Sequence, residues 1–241
     1  GHCWDDTMQG GILLYAMNTG DSQWKEQFRK HLEYWTTGYG GKQIAHTPDG
    51  LAWLFQWGSM RHATTTAFLA YVAADELFAD DAAAATKYTD FADSTMNYAF
   101  GDNDLDMSYV IGMGDKYPQA WHNSTSPGAW NDKRSKIGQT EGEDAKPHAH
   151  TLYGALVGGP DQTGKYSDKI GDYQYTEVAI DYNAGYTAAL CAMVQKYGGS
   201  SDPDFPPTET PKWTEFFMRA SINPAAGSYT EIKAFAMNHS A

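Results

Sequence analysis

The stretch Leu54–Leu77, LFQWGSMRHATTTAFLAYVAADEL, decides the fold class. Its apolar residues are too dense for a surface helix, so it reads as a helix buried on most sides. Amphipathic patterns flank it. Trp24, Phe28, Leu32 and Trp35 recur at spacings of four, four and three, which marks one helix face. Ser22 serves as the expected N-cap and Gly38 as the terminator. Ala84, Tyr88, Phe91, Ala92 and Thr95 continue the pattern up to Gly101, and a last helix runs from about Ala184 to Tyr197, closed by Gly198 and Gly199. Residues 102–153 carry almost no helical period, and a loop that long in a compact domain usually carries function. The expected fold is all-α with long loops.

The pattern changes at GGSSDPDFPPTETP, residues 198–211, whose four prolines make it an extended, semi-rigid linker. Phe216–Asn223 and Tyr229–Met237 then read as strands. In the second, Thr230, Ile232, Ala234 and Ala236 alternate with Glu231, Lys233 and Phe235. The expected organisation is a helical domain over 1–198, a linker over 199–212 and the beginning of a β domain over 213–241. Twenty-nine residues are too few for that β domain to be stable by itself.

Bulk properties exclude several functions. A net charge of −13 repels phosphate backbones and anionic membrane surfaces, which argues against nucleic acid and membrane as partners. No apolar run is long enough to span a bilayer. A neutral polymer such as a polysaccharide is compatible with that charge. The 8 tryptophans and 16 tyrosines serve either a large aromatic core or a cleft that stacks sugar rings. Two cysteines, Cys3 and Cys191, make no disulfide scaffold; they read as two buried thiols, with a single bridge between them as the alternative. The chain opens within Gly1-His2-Cys3-Trp4-Asp5-Asp6 without a start methionine, as a fragment would.

The chemistry concentrates in YSDKIGDYQYTEVAIDYNA, residues 166–184. Four carboxylates, Asp168, Asp172, Glu177 and Asp181, alternate with Tyr173, Tyr175 and Tyr182. Glycoside hydrolysis needs one carboxylic acid to protonate the leaving oxygen and one carboxylate opposite it. Neighbouring carboxylates and the apolar run Val178-Ala179-Ile180 would both favour a protonated acid. By residue type alone, the stretch is either such a site or a solvated acidic loop.

The segment resembles the C-terminal signature of glycoside hydrolase family 9. In that pattern an aromatic, an Asp, a second aromatic, a Glu, a small residue and Asn-Ala stand at fixed spacings, and Tyr166, Asp168, Tyr173, Glu177, Ala179, Asn183 and Ala184 fill them. The resemblance implies Glu177 as proton donor, Asp168 as assisting carboxylate and Tyr182 as a sugar contact. Further blocks agree in family order: residues 47–53, residues 56–61 (QWGSMR), residues 101–112, Tyr117-Pro118-Gln119 and residues 150–160 (HTLYGALVGGP). By that likeness Trp57 is a stacking platform and Arg61 a polar contact to sugar, although Trp57 alone would read as core.

Departures from the family pattern are equally specific. His62 stands where relatives usually have Tyr. His122-Asn123-Ser124 keeps the family's sugar-binding His at His122 but puts Ser124 where relatives have Arg. Serine cannot supply the donor fork of a guanidinium. His148 and His150 read as loop residues rather than zinc ligands. Trp4-Asp5-Asp6 is similar to a segment that in relatives helps bind structural calcium, which makes Asp5 or Asp6 a candidate ligand. A carboxylate pair at a helix N-terminus explains it equally well.

The resemblance thus implies part of an (α/α)6 barrel from a secreted, inverting enzyme. Its substrate would be cellulose or another β-1,4-glucan, and it would need no cofactor for catalysis. Residues 216–241 resemble the opening of a family 3 carbohydrate-binding module. The family's general base lies in an Asp-Ala-Gly-Asp motif that does not occur in these 241 residues. A non-catalytic carbohydrate-binding protein and a helical-barrel glycosidase for another β-glucan are the competing readings.

Overall fold

The computed structural model describes residues 2–122, 148, 151–210, 216–224 and 230–238. Helices dominate through Tyr197: α1 (Met8–Thr19), α2 (Ser22–Trp35), α3 (Ser59–Val72), α4 (Ala82–Phe100), α5 (Tyr173–Thr176) and α6 (Ile180–Tyr197). The short strands β1 (Ala45–His46) and β2 (Ala52–Trp53) pair antiparallel. Strands β3 (Phe216–Pro224) and β4 (Thr230–Asn238) form an antiparallel hairpin with Phe216 opposite Asn238.

Helix α3 is the hub of the fold. It packs on both α4 and α6, while α1 packs on α2. Twelve of its fourteen residues are buried, as the apolar density predicts. It begins at Ser59 rather than Leu54, because the preceding Gly58 takes a left-handed φ of 76°. Residues 52–53 are spent on β2, and a π-helical turn at Ala73–Leu77 completes the helix. The packing against α6 is close: a Cβ at Gly185 would lie 2.1 Å from Thr65 Oγ1. Only glycine at that position lets the two backbones approach so far.

The α2 face is borne out for Phe28, Leu32 and Trp35, which are fully buried, but Trp24 is exposed and meets only the edge of Tyr15. Its cap differs from expectation. The Asp21 side chain, not Ser22, accepts the Gln23 amide at 2.8 Å. The helix stops at Trp35, three residues before Gly38, whose N–H donates to Glu33 O. Helix α6 starts four residues earlier than Ala184. Helix α1 was not legible as a helix, since Gly10 and Gly11 interrupt its apolar spacing. Among the described residues of 102–153, no helix forms.

Neither cysteine is a buried thiol. Cys3 is half-buried and Cys191, on α6, is exposed, and both are free. On the hairpin, Phe216, Met218, Ile222 and Ile232 share one face and are all exposed, and two strands alone bury too little to be stable. The linker residues 199–210 are not wholly free: Phe205 packs edge-on against Tyr153, and the Thr151 amide donates to Glu209.

Candidate active site

A cavity of about 790 Å³ opens at the N-terminal end of α3, lined by Asp5, Phe55, Trp57, Arg61, Glu177 and Tyr182 among others. The backbone assembles it from distant stretches. Met60 N–H donates to Gly158 O at 2.9 Å, Gly159 N–H to Tyr175 O at 3.0 Å, and Gly58 N–H to Gln174 O at 3.3 Å. The two glycines of the Val-Gly-Gly-Pro run are needed for this. A Cβ at Gly158 would sit 2.6 Å from Gln174 O, and Gly159, with a φ of 101°, lies against Met60. The 56–61, 158–160 and 173–178 segments are thereby locked edge to edge.

Glu177 is half-buried in the wall of this cavity. Its Oε2 accepts two hydrogen bonds, from Trp57 Nε1 at 2.6 Å and from the Tyr182 hydroxyl at 3.0 Å. Burial, and then the Glu177 charge, push the Tyr182 phenol up, so it stays protonated and donates. Trp57 is not a core residue: it is 40% exposed, and its ring lies 4.9 Å from that of Tyr173.

Of the four neighbouring carboxylates, only Glu177 and Asp181 line the cavity. Asp181 pairs with Arg61 at 2.9 Å. Asp172 accepts from the Ser167 hydroxyl. Asp168 turns away from the cavity, and its two oxygens accept the backbone amides of Gln119 at 2.8 Å and Ala120 at 3.0 Å. The apolar run beside Glu177 does not form a lid, since Ile180 is 92% exposed.

Arg61 lines the cavity with only 7% of its surface exposed, and much of its guanidinium is engaged by protein. Nη1 donates to Asp181. Nη2 donates to Trp57 O at 2.9 Å and faces His62 Nε2 at 3.2 Å, and the guanidinium lies 4.8 Å from the Tyr182 ring centroid. A guanidinium only donates, so His62 Nε2 accepts and Nδ1 carries the ring proton. Burial, then the Arg61 charge, pull the His62 pKa down to about 4, which leaves the imidazole neutral near pH 7.

His122 sits beside the cavity wall rather than in it. Its N–H donates to Thr176 O at 2.9 Å, and its carbonyl accepts from Val178 N–H at 3.4 Å, bracketing Glu177. Its Nδ1 lies 2.7 Å from Ile170 O, and because a carbonyl only accepts, Nδ1 carries a proton and donates to it. Ser124 and His150 lie outside the described residues. His148 is buried, with its ring stacked 4.0 Å from Trp121.

Asp5 lies at the cavity rim, where its Oδ1 accepts from the Cys3 thiol at 2.8 Å. Among the described residues, no group of three or more His, Cys, Asp or Glu side chains converges as a metal cage. The residues present do not fit a calcium site by themselves, and no reaction step passes through one. Sequence reading had Asp181 and Tyr173 in the acidic stretch without a role of their own, and it missed Phe55 as a member of the site. The signal for Phe55 was an aromatic two residues before Trp57, but its exposure depends on the turn at Gly58. No helix among the described residues is long and apolar enough to cross a membrane.

Comparison with known proteins points to one family. Residues 1–190 match the family described as Glycosyl hydrolase family 9. The chain is 40% identical over 240 residues to Endoglucanase B of Cellulomonas fimi, covering 99% of this chain and 22% of that protein. It is 41% identical to Endoglucanase A of Bacillus pumilus, covering 98% of this chain and 35% of that protein. Among solved structures it is similar to endoglucanase CelQ from Clostridium thermocellum complexed with cellotriose. The identity is 46% and the TM-score 0.82, over 99% of this chain and 38% of that one. The chain thus spans roughly a fifth to two fifths of the length of these relatives. By its matched residues and its fold, the chain belongs to glycosyl hydrolase family 9.

Proposed function

We propose that the protein carrying this chain hydrolyses β-1,4-glucosidic bonds of cellulose with inversion, and that Glu177 is its general acid. The observation that carries this reading is the placement of Glu177. It is a half-buried carboxyl in a wide cavity, held by Trp57 and Tyr182 at the spacing of the family signature. The relatives named as endoglucanases, and the CelQ complex with cellotriose, support a β-1,4-glucan as substrate.

In this reading Trp57 and the exposed Phe55 offer ring faces to glucose units, whose C–H surfaces stack on aromatics. Tyr182 and His122 Nε2 are polar groups for sugar hydroxyls. Neutral His62 and Arg61 shape the cavity floor, and Asp168 assists by positioning the 119–122 segment. The helices α1–α6 form a portion of an (α/α)6 barrel. Residues 213–241 begin a β-sandwich carbohydrate-binding module, and the enzyme acts outside the cell. The reaction needs a second carboxylate as base for the attacking water, and the Asp-Ala-Gly-Asp motif that the resemblance gives for it does not occur in these 241 residues.

The test is an assay of the full-length protein on carboxymethyl cellulose, xylan and mixed-linkage glucan, with proton NMR of the first product. Reducing ends from carboxymethyl cellulose and a product born as the α-anomer are expected. Activity confined to xylan would refute the substrate, and a product born as the β-anomer would refute inversion.

A further inference from the structure

Two donors converge on one oxygen of the catalytic carboxyl. Trp57 Nε1 is 2.6 Å and the Tyr182 hydroxyl 3.0 Å from Glu177 Oε2. A carboxyl oxygen has two in-plane lone pairs, and two donors fill both. The geometry points to a paired clamp in which Trp57 and Tyr182 steer the Glu177 proton onto Oε1, so that Trp57 is a positioning residue for the acid and not only a sugar platform. This inference rests on Glu177 being the acid.

The clamp is rigid for reasons visible around it. Trp57 O accepts from Arg61 Nη2 at 2.9 Å, which holds the backbone beneath the indole. The same guanidinium lies over the Tyr182 ring, so one buried arginine braces both donors. Gly58 packs against the Tyr182 hydroxyl, where a Cβ would come within 2.9 Å of it, so no bulkier residue could stand between the donors. The Tyr173 ring, tilted at 57° to the indole, limits its rotation on the other side.

The consequence for the reaction is directional. The proton leaves Oε1 for the glycosidic oxygen, and its former bonding pair stays on Glu177 as carboxylate. The bond from the anomeric carbon to that oxygen breaks with its pair on the leaving sugar. Water attacks the anomeric carbon and gives its proton to the second carboxylate. As Glu177 ionises, the Trp57 and Tyr182 bonds become charge-assisted and strengthen. They therefore hold the product carboxylate better than the starting acid and lower the barrier.

The experiment uses Trp57→Phe in the full-length enzyme with cellotetraose, since Phe keeps an aromatic face but has no N–H. The expected result is a fall in kcat on the order of 10- to 100-fold, with KM nearly unchanged. The alkaline limb of the pH–rate profile also moves to higher pH, because one donor to the carboxylate is lost and the acid keeps its proton longer. Tyr182→Phe removes the other donor from the same oxygen and gives the same shift, which serves should Trp57→Phe fail to fold. A rise in KM with kcat and the alkaline limb unchanged would make Trp57 a stacking platform only and overturn the proposal. An unmodified enzyme inert on every β-glucan would instead overturn the hydrolase reading beneath it.

Discussion

Asp168 is fastened to Gln119: its Oδ2 accepts the Gln119 amide at 2.8 Å, while Oδ1 takes the neighbouring Ala120 amide at 3.0 Å. The segment so held leads directly into buried Trp121 and then His122 beside Glu177. Asp168 therefore acts on the site through the backbone. Asp168→Ala should lower kcat roughly ten- to hundredfold, the scale of a displaced site residue. The shape of the pH–rate profile should not change, because no titrating member of the reaction is removed. Hydrogen exchange at the Gln119 and Ala120 amides should accelerate. A lost limb of the profile would assign Asp168 to proton transfer instead.

The close approach of α3 and α6 makes a prediction about stability alone. Gly185→Ala would set a methyl 2.1 Å from Thr65 Oγ1 and 2.7 Å from the Thr65 α-carbon. Overpacking of this kind costs roughly 1–3 kcal/mol. Thr65→Ala in the same chain should restore only part of it, because the clash with the Thr65 backbone persists. Denaturant midpoints of the single and double variants check both statements.

Acid should weaken the fold through two histidines. Burial pulls His31 down to about 4, and burial with the Arg61 charge pulls His62 to about 4, against an ordinary value of 6.5. The unfolded chain takes up these protons first as pH falls. The stability they contribute is complete above about pH 6.5 and is lost between there and about 4. Each full shift corresponds to roughly 3 kcal/mol. His31→Phe, which retains a ring against Phe28 and Trp35, should flatten the fall in melting temperature between pH 6.5 and 4. An unchanged slope would mean that His31 is already protonated in the fold.

How much of this was legible in the sequence depended on the range of the interaction. The faces of α2 and α4, the span of α6 and the alternation of the second hairpin strand came from local pattern, which needs nothing beyond neighbours. Helix α1 hid behind Gly10 and Gly11, and the true start of α3 depends on the left-handed turn at Gly58. In the site, the resemblance to family 9 is what pointed to Glu177, Trp57 and Tyr182. The engagement of Arg61 with Asp181, the neutral state of His62 and the Asp168 clamp were not. Each joins residues about 50 to 120 positions apart, or depends on burial that only the folded chain creates.

The central claim is the role of Glu177, and Glu177→Gln in the full-length enzyme tests it most directly. Glutamine keeps the size of the side chain and an oxygen for the Trp57 and Tyr182 donors, but it cannot deliver a proton to a poor leaving group. General acid catalysis contributes roughly 10²–10⁴-fold. Hydrolysis of carboxymethyl cellulose should therefore fall at least about 10²-fold, and a nitrophenyl cellooligosaccharide, whose leaving group needs little protonation, should lose much less. Near-normal hydrolysis of carboxymethyl cellulose by the glutamine variant would contradict the assignment.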